Sequence, residues 1–428
     1  MLALATDRYE LTMLQAALAD GTAARPCVFE VFARRLPDGR RFGVVAGQHR
    51  VLQVLRELRW GAAEVDVLRR GHVVDEATAT WLEGYRFDGD VDGYADGELF
   101  VPGSPLLTVR ASFGVAVLLE TLVLSILNHD CAVAGAAARM VVAAEDRPLI
   151  EMGSRRAHED AAVDAARAAH LAGFASTSNL AAGARYGVPT AGTSAHAFTL
   201  LHDDERSAFV SQVAAHGVGT TLLVDTYDIA EGIRTAVEVA GPDLGAIRID
   251  SGDLAYHARF ARRLLDELGA TRTRIVVSGD LDEHGIARLS GAPVDAMGVG
   301  TSVVTGSGAP SAGLVYKLVE VDGRPVAKRS TGKATPGGAH TVVRRHRASG
   351  VATEELLLSG VEADPQDGDA SPSLPLLRGG RASAGSADAT DLAASRARAA
   401  DRLRRLPWEG LSLTAGEPAF PTTYRGPS

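Results

Sequence analysis

Short runs of β-branched and aliphatic residues recur through the middle of the chain, and each run stops at polar residues or glycine. The runs end near residues 152, 176, 191, 225, 250, 279 and 299, and helical patterns lie between them. Alternation of strand, loop and helix at this spacing is typical of a parallel α/β barrel or sheet. Barrel folds place their active sites at the carboxyl ends of the strands, so we expect chemistry there.

The first hundred residues have a different pattern. Residues 28–34 alternate like a strand, residues 37–39 read as a turn, and residues 91–107 read as short antiparallel strands. Residues 314–328 predict a hairpin that turns at Asp322 and Gly323. These patterns indicate a separate α+β domain.

Two further segments carry structural signals. Apolar residues at three- and four-residue spacing predict one helix over residues 111–143, and the same spacing predicts a helix over residues 392–406. Between residues 362 and 390, Asp, Ser, Gly, Pro and Ala dominate, which predicts a mobile loop.

Composition excludes several classes of protein. The chain has 428 residues, of which 46% are hydrophobic, and a formal net charge of −9. This length can bury a sizeable core and favours two domains over one. Nucleic-acid binding requires a basic face, and no extended stripe of Lys and Arg occurs, so we expect no nucleic-acid partner.

Cysteine content and the amino terminus indicate the compartment. Two cysteines, Cys27 and Cys131, cannot form a Cys-rich zinc site and do not mark a secreted disulfide scaffold. The first 13 residues carry acidic side chains where a signal peptide has basic ones, and Glu120 interrupts the longest apolar run, residues 113–127. We expect a cytoplasmic protein with no export signal and no membrane span.

His196 is unusual because small residues surround it in GTSAHAF, residues 192–198. Asp225 ends the following strand, so its carboxylate is expected to fix the imidazole tautomer and leave the other ring nitrogen nucleophilic. Ser194 would suit a Ser–His–Asp hydrolase, but no G-x-S-x-G motif occurs. The structural alternative is a histidine that is satisfied in a core.

The next strand ends extend this candidate site. Arg248 and Asp250 project from the same face of a strand, so a cation and a carboxylate can bind one ligand that carries phosphate and sugar hydroxyls. The alternative is a local salt bridge. Gly279 permits close backbone approach and Asp280 offers hydroxyl-binding oxygens.

A glycine-rich stretch follows the last predicted strand. GVGTSVVTGSGAP, residues 298–310, has glycines at 298, 300, 306 and 308, whose exposed amides can cradle a phosphate. It is not a Walker loop, because G-x-x-x-x-G-K-[ST] is absent. A plain turn-rich linker is the alternative.

Lysine use is also uneven. The chain has only three lysines, Lys317, Lys328 and Lys333, in a total of 44 basic Lys and Arg residues. A compact, mobile ammonium suits a phosphate ligand, and a chance cluster on an exposed hairpin is the alternative.

Taken in order, nine motifs resemble nicotinate phosphoribosyltransferases nearly end to end. They are TDRYELTM, FEVFARRLP, MGSRRAHE, TSN, GTSAHAF, LLVDTYDI, IRIDSGD, VVSGDL and GVGTSVVTGSGAPSAGLVYKLVEV. The resemblance implies a type II phosphoribosyltransferase with an irregular, TIM-like α/β barrel and an N-terminal α+β domain completed by C-terminal segments. The corresponding boundaries are 1–107, 108–312 and 313–428, the last comprising the hairpin, the loop and the C-terminal helix.

The resemblance also implies a reaction. Family members make nicotinate mononucleotide and pyrophosphate from nicotinate and phosphoribosyl pyrophosphate, coupled to ATP hydrolysis, in NAD biosynthesis. They need magnesium, which we expect the pyrophosphate to hold, with no protein metal ligand assigned. A homodimer with the active site at its interface is implied as well.

The family roles carry over to matching positions. His196 matches the histidine that ATP phosphorylates, and Asp225 matches the aspartate that hydrogen-bonds it. Asp7 and Tyr9 match a motif whose tyrosine covers the pyridine ring. Arg155 matches the arginine beside the base, and Met152, Thr177 and Ser178 are expected to bind substrate with it. Arg248, Asp250, Gly279 and Asp280 match positions around the ribose and pyrophosphate; Asp250 is expected to be catalytic, and Ser251 and Gly252 to bind substrate. Gly300 and Thr301 match the loop around the 5′-phosphate.

Two residues bear on the choice of base. In the related nicotinamide phosphoribosyltransferases, an aspartate accepts a hydrogen bond from the carboxamide NH₂ group, which nicotinate lacks. The matching position here is Ser178. Hydroxyls and Arg155 favour a carboxylate substrate, which predicts nicotinate. Met152 stands where an aromatic residue commonly stacks on the pyridine ring, so base affinity is expected to be lower.

Three other functions compete with this prediction. One is a nicotinamide phosphoribosyltransferase, and another is a catalytically silent relative. The third is a phosphate-binding barrel lyase or isomerase, which would normally use a lysine at a strand end, yet no lysine precedes residue 317.

Overall fold

The computed structural model describes residues 2–328, 336–364 and 366–426. These residues form two compact units, one of residues 1–135 with 309–428 and the other of residues 136–308. The chain therefore enters the first unit, forms the second and returns to the first.

The amino-terminal segment contributes five strands and the first helices. The strands are β1 (Pro26–Ala33), β2 (Gly43–Val44), β3 (Asp90–Tyr94), β4 (Leu99–Phe100) and β5 (Leu107–Ser112). The helices are α1 (Arg8–Ala19), α2 (Gln48–Glu57), α3 (Ala62–Arg70), α4 (Glu76–Glu83), α5 (Phe113–Val117) and α6 (Glu120–Ala144).

The second unit alternates strands and helices. The strands are β6 (Leu149–Glu151), β7 (Ser176–Thr177), β8 (Thr221–Leu223), β9 (Ala246–Ile249), β10 (Arg274–Ser278) and β11 (Ala296–Val299). The helices are α7 (Glu159–Ala172), α8 (Leu180–Tyr186), α9 (His196–Leu200), α10 (Glu205–His216), α11 (Ile229–Ala240), α12 (Leu254–Glu267), α13 (Glu283–Arg288) and α14 (Thr301–Val304).

The carboxyl-terminal segment is mostly β structure. Its strands are β12 (Leu314–Val321), β13 (Arg324–Pro325), β14 (Thr341–His346), β15 (Ala352–Leu358), β16 (Ser373–Arg378), β17 (Arg381–Ala382) and β18 (Thr422–Arg425). Its helices are α15 (Ser386–Thr390) and α16 (Leu392–Arg404). Short 3-10 helices cover Leu2–Leu4, Thr22–Ala24, Ser154–Arg156 and Trp408–Leu411.

The first unit is built on a seven-stranded sheet in the order β13-β12-β1-β5-β3-β16-β17. The amino-terminal strands β1, β5 and β3 form its centre and carboxyl-terminal strands flank them on both sides, which confirms an α+β domain that C-terminal segments complete. Phe29 of β1 and Tyr316 of β12 stack with their ring centroids 4.8 Å apart. The core of this sheet therefore contains residues nearly 300 positions apart in the chain.

The predicted hairpin forms as β12 and β13. Asp322 and Gly323 both have positive φ, 49° and 70°. Such a two-residue turn matches the right-handed twist of the flanking strands, and glycine has no Cβ to oppose it.

The second unit is built on a parallel sheet in the order β7-β6-β11-β10-β9-β8. A parallel bridge between Thr177 and Thr190 extends it beyond β7. All six strands run in one direction, so their carboxyl ends meet at one edge. The α/β class with an irregular barrel-like core is confirmed. The six strands end within two residues of predicted ends, and near the seventh predicted end, at 191, only the bridge of Thr190 forms.

The boundaries of the units differ from the predicted ones. The first break lies between residues 135 and 136, inside α6, and the second between 308 and 309. The predicted boundary at 107/108 would cut β5 after its first residue, yet β5 pairs with β1 and β3.

Two predicted elements were wrong in detail. The helix expected over 111–143 is two helices, because β5 continues to Ser112 and α5 ends before α6 begins at Glu120. The loop expected over 362–390 contains β16, β17 and α15 in its described part, and β16 pairs with β3. Pairing with β3 gives hydrogen-bond partners to the backbone N–H and C=O groups of β16, although the composition of this segment alone favours a loop.

One helix, Glu120–Ala144, is long and apolar enough to cross a membrane by length and composition. Its most apolar stretch is 72% buried inside the protein, so core packing accounts for its hydrophobicity.

Two of the three lysines lie in the described part of the chain. Lys317 lies in β12 with its ammonium 3.5 Å from a carboxylate oxygen of Glu120, and Lys328 is exposed. Lys333 lies outside the described residues.

Candidate active site

The predicted site residues of the second unit lie at the carboxyl edge of its parallel sheet or in the loops that follow. Each strand ends in a short polar segment before the next helix, so side chains from different strands meet at this edge. The arrangement follows from the parallel direction of all six strands.

His196 is the first residue of α9 and is not a core histidine, because its side chain is 41% exposed. Its Nδ1 lies 3.2 Å from Thr226 Oγ1. Its Nε2 lies 3.8 Å from Asp225 Oδ1 and 4.0 Å from Asp250 Oδ2. Two carboxylates therefore face one edge of the ring and a hydroxyl faces the other.

Asp225 is nearly inaccessible, with a side chain 1% exposed. Its Oδ2 accepts hydrogen bonds from the backbone N–H of Asp250 at 2.8 Å and from Ser251 Oγ at 2.7 Å. Its Oδ1 is buried and has no hydrogen-bond partner among the described residues. The predicted neighbour of His196 is thus present, at a separation longer than a hydrogen bond, with a free acceptor toward the imidazole.

Arg248, Asp250 and Ser278 form a second group on the adjoining strands. Arg248 donates to Asp250 Oδ1 at 2.9 Å and to Ser278 Oγ at 2.8 Å, and Ser278 Oγ donates a short hydrogen bond to Asp250. Burial raises the pKa of Asp250, but Ser278 and Arg248 together lower it below its usual value. The local salt bridge exists, and its carboxylate stays ionised.

Arg248 also connects this group to the loop before His196. Its guanidinium donates to Thr193 Oγ1 at 3.1 Å. One cation therefore lies among three strand-end loops, where a phosphate or pyrophosphate ligand would meet it.

Glycines allow the loops to approach closely. Gly279 has φ +127°, and a Cβ there would lie 2.6 Å from the carbonyl oxygen of Asp250. Gly252 has φ +78°, and its Cβ would meet the His257 ring. Asp280 follows Gly279 with a positive φ of 42° and is exposed.

The candidate base subsite lies on β6 and β7. Met152 packs over Gly298, where a Cβ would come within 2.7 Å of the methionine sulfur. Arg155 is exposed on the 3-10 helix Ser154–Arg156, Ser178 is exposed, and Thr177 is fully buried. Met152 donates its backbone N–H to Val299 at 2.7 Å, which joins this loop to the glycine-rich loop.

The glycine-rich loop follows β11. Gly300 caps the four-residue helix α14, and Thr301 begins it with an exposed side chain. A Cβ at Gly153 would lie 2.9 Å from the Gly300 carbonyl oxygen, so the two loops pack backbone to backbone.

Asp7 and Tyr9 belong to the first unit, where Asp7 precedes α1 and Tyr9 is in its first turn. Burial and the nearby Glu120 carboxylate raise the pKa of the Tyr9 phenol.

Two carboxylates of the site that the sequence analysis did not predict are Glu151 and Glu205. Glu151 ends β6 and accepts hydrogen bonds from Gly153 and Thr177. Glu205 begins α10, and burial together with Asp225 and Asp228 raises its pKa to about 7. Glu151 could have been predicted from the sequence, because it is a carboxylate at the end of an apolar run, where the other site residues also lie. Glu205 could not have been predicted, because its charged neighbours Asp225 and Asp228 come from another loop.

The described residues contain no group of three His, Cys, Asp or Glu side chains arranged to hold a metal ion. Asp250 and Asp280 nevertheless present hard oxygen donors at the same edge. These donors fit a magnesium ion that arrives on a pyrophosphate.

Comparisons with known proteins identify the family. Residues 4–128 match the nicotinate phosphoribosyltransferase (NAPRTase) N-terminal domain. The chain is 60% identical to a nicotinate phosphoribosyltransferase of Mycobacterium tuberculosis over 98% of this chain and 94% of that protein. It is 39% identical to the Bacillus subtilis protein of that name, over 76% and 68%.

A solved structure agrees with these sequences. The crystal structure of human nicotinic acid phosphoribosyltransferase superposes with a TM-score of 0.84 and 28% identity, over 98% of this chain and 97% of the human chain. Sequence and fold therefore place this chain in the nicotinate phosphoribosyltransferase family of phosphoribosyl-transfer enzymes.

Proposed function

We propose that this protein makes nicotinate mononucleotide and pyrophosphate from nicotinate and phosphoribosyl pyrophosphate, and that ATP hydrolysis is coupled to the reaction through a phosphohistidine at His196. The observation that supports coupling to ATP hydrolysis is the partly exposed imidazole of His196, with the carboxylates of Asp225 and Asp250 near one ring nitrogen. The reaction itself rests on family membership.

The surroundings of His196 support a nucleophilic imidazole. Two carboxylates near one ring nitrogen favour the proton on that nitrogen and leave the other with its lone pair. That nitrogen attacks the γ-phosphorus of ATP, the bond to the bridging oxygen breaks, and ADP leaves. Water later cleaves the phosphohistidine to phosphate. The unpartnered Oδ1 of buried Asp225 suits an imidazole that moves between these two states.

The transfer step uses the neighbouring strand ends. The nicotinate ring nitrogen attacks C1 of the ribose while the bond from C1 to pyrophosphate breaks, and positive charge develops on the sugar. The ionised Asp250 stabilises this charge, and Arg248 stabilises the departing pyrophosphate. Magnesium on the pyrophosphate supplies further charge neutralisation when bound.

The base subsite supports nicotinate over nicotinamide. Arg155 and the exposed Ser178 provide positive charge and a hydroxyl for a carboxylate, and Met152 provides an apolar surface for the ring. A nicotinamide phosphoribosyltransferase remains the second candidate because Met152 is not aromatic.

The assembly and location belong to the same proposal. We expect a cytoplasmic homodimer in which Asp7 and Tyr9 of one subunit complete the base subsite of the other. Tyr9 is 44% exposed, which leaves its ring available for such a contact.

The first experiment measures product formation from phosphoribosyl pyrophosphate with nicotinate or nicotinamide, with and without ATP. We expect nicotinate to be preferred, ATP to stimulate, and an acid-labile phosphate to map to His196 by mass spectrometry. His196→Ala should lose the ATP stimulation, whereas His216→Ala, at the end of α10 away from the strand ends, should keep it.

Each alternative predicts a different result. A loss of no more than a few-fold in His196→Ala at saturating ATP would contradict the coupling mechanism. Preference for nicotinamide would mean that Ser178 and Met152 were misinterpreted. Absence of product with either base would favour a catalytically silent relative.

A further inference from the structure

Glu151 is a buried carboxylate next to the candidate base subsite. It is the last residue of β6, with β11 on one side and β7 on the other, and it is 1% exposed. A buried carboxylate is costly unless hydrogen bonds satisfy its oxygens, so its partners show what the structure gains from it.

Both carboxylate oxygens accept hydrogen bonds, one from the loop after β6 and the other from the last residue of β7. Oε1 accepts a short hydrogen bond from the backbone N–H of Gly153. Oε2 accepts from Thr177 Oγ1 at 2.5 Å, and the backbone carbonyl of Glu151 accepts from Ser178 N–H at 2.8 Å. One residue thus connects the loop that carries Met152 and Arg155 to the loop that carries Ser178.

A second connection runs through Asn179. Its backbone N–H donates to Thr177 Oγ1 at 3.0 Å, and its side-chain amide donates to Ser154 Oγ at 3.0 Å. Thr177 Oγ1 therefore accepts from Asn179 while it donates to Glu151. Because that hydroxyl proton needs an acceptor, the arrangement requires an oxygen of Glu151 at this point.

We propose that Glu151 is a positioning residue that fixes the two loops of the base subsite relative to each other and so determines affinity for the pyridine carboxylate. The inference rests on the proposed function, because it assumes that nicotinate binds between these loops. Glu151 does not touch the substrate in this proposal. It acts through Gly153 and Thr177.

The ionised form of Glu151 matches these donors. Burial raises the pKa of this carboxyl group, and the hydrogen bonds from Thr177 and Gly153 oppose that rise. A glutamine of the same shape offers one acceptor oxygen and one N–H₂ group. It cannot accept from both Gly153 and Thr177.

The test compares Glu151→Gln with the wild-type enzyme in steady-state kinetics. We expect the KM for nicotinate to rise about tenfold or more, as for loss of a buried hydrogen bond to a charged group. The KM for phosphoribosyl pyrophosphate and kcat at saturating nicotinate should change by no more than about threefold. Glu159→Gln, the same change at an 85% exposed residue of α7, is the matched control and should leave all three constants unchanged.

Thr177→Val provides a second route if Glu151→Gln does not fold. It removes only the hydroxyl and should also raise the KM for nicotinate. Thr273→Val removes a buried hydroxyl bonded to Leu244 at the opposite end of the same sheet, and should not. In the double variant Glu151→Gln/Thr177→Val the two effects should not multiply, because both act on one hydrogen bond.

An unchanged KM for nicotinate in folded Glu151→Gln and Thr177→Val would overturn the inference. So would a rise in both KM values and a fall in kcat by similar factors in both variants, because such a change would not be specific to the base subsite. Failure of the wild-type enzyme to convert nicotinate would instead refute the proposed function, so the two failures are distinguishable.

Discussion

At the scale of single residues, the ion pair with Arg248 influences the ionisation of Asp250. Burial raises the pKa of Asp250, but Ser278 and Arg248 together lower it by more than burial raises it. The folded-state pKa therefore lies below that of the unfolded chain. The ionised carboxylate therefore contributes to stability above the unfolded pKa, and this contribution is lost as pH falls through the folded-state pKa.

Arg248→Met should move the acid limb of the pH profile of kcat/KM to higher pH, because it removes the cation that lowers the pKa of Asp250. We expect kcat/KM at neutral pH to fall as well, since we propose that the guanidinium also binds the pyrophosphate. The measurement is a pH–rate profile of the variant against Arg259→Met, an exposed arginine of α12. An acid limb that stays in place would refute this role of Arg248.

The residue scale also shows what the motifs could and could not predict. GTSAHAF placed His196 in an open position, and LLVDT placed Asp225 beside it, both from local sequence. The contact of His196 with Thr226 and the 3.8 Å separation from Asp225 depend on how two loops pack, so no motif contained them.

At the scale of elements, the strand-end loops depend on backbone shapes that only glycine adopts freely. Gly279 combines a positive φ with close approach to the Asp250 carbonyl, whereas Gly291, before β11, has φ +71° and open space around it. Substituting each glycine by alanine therefore distinguishes two destabilising effects of a side chain. Both positions impose backbone strain, and only Gly279 adds a steric clash.

Gly279→Ala should lower the free energy of unfolding by more than Gly291→Ala does, up to about 3 kcal/mol, and reduce activity, because its Cβ would displace the loop that carries Asp250. Gly291→Ala should cost about 1 kcal/mol, from conformational strain alone, and leave activity unchanged. Urea unfolding followed by circular dichroism measures the first quantity, and steady-state assays measure the second. Equal costs for the two variants would contradict the proposed collision.

Elements were predicted well where their signal was local. The hairpin at Asp322 and Gly323 and the helix from residue 392 formed as expected, since a turn type and a helical period are properties of short segments. β16 was predicted as loop, because its strand conformation depends on pairing with β3, nearly 300 residues earlier.

At the scale of the whole molecule, a buried charge network joins the two ends of the chain within the first unit. Arg344 of β14 donates to Glu98 at 2.6 Å and to Glu355 at 2.6 Å, and all three side chains are nearly inaccessible. Tyr94 also donates to Glu355 at 2.9 Å. The carboxyl-terminal segment thus supplies the only arginine that both carboxylates share among the described residues.

Arg344→Met should destabilise the first unit by about 3–5 kcal/mol, because it leaves two carboxylates buried without their shared cation. Arg378→Met, which breaks a half-exposed pair with Asp92, should cost no more than about 1 kcal/mol. All three tryptophans, Trp60, Trp81 and Trp408, lie in the first unit, so urea unfolding followed by tryptophan fluorescence reports on it directly. Similar midpoints for both variants would refute the role of the network.

The sequence by itself determined the α/β class, the positions of the strand ends and the membership of His196, Asp225, Arg248 and Asp250 in one site. It could do so because strand period, helix period and glycine-rich turns are encoded over a few neighbouring residues, and parallel strands bring their carboxyl ends to one edge. Only the tertiary structure decided the break inside α6, the place of β16, the network around Arg344 and the two-loop connection through Glu151. Each of these depends on contacts between segments far apart in the chain, where burial and hydrogen-bond pairing outweigh local preference.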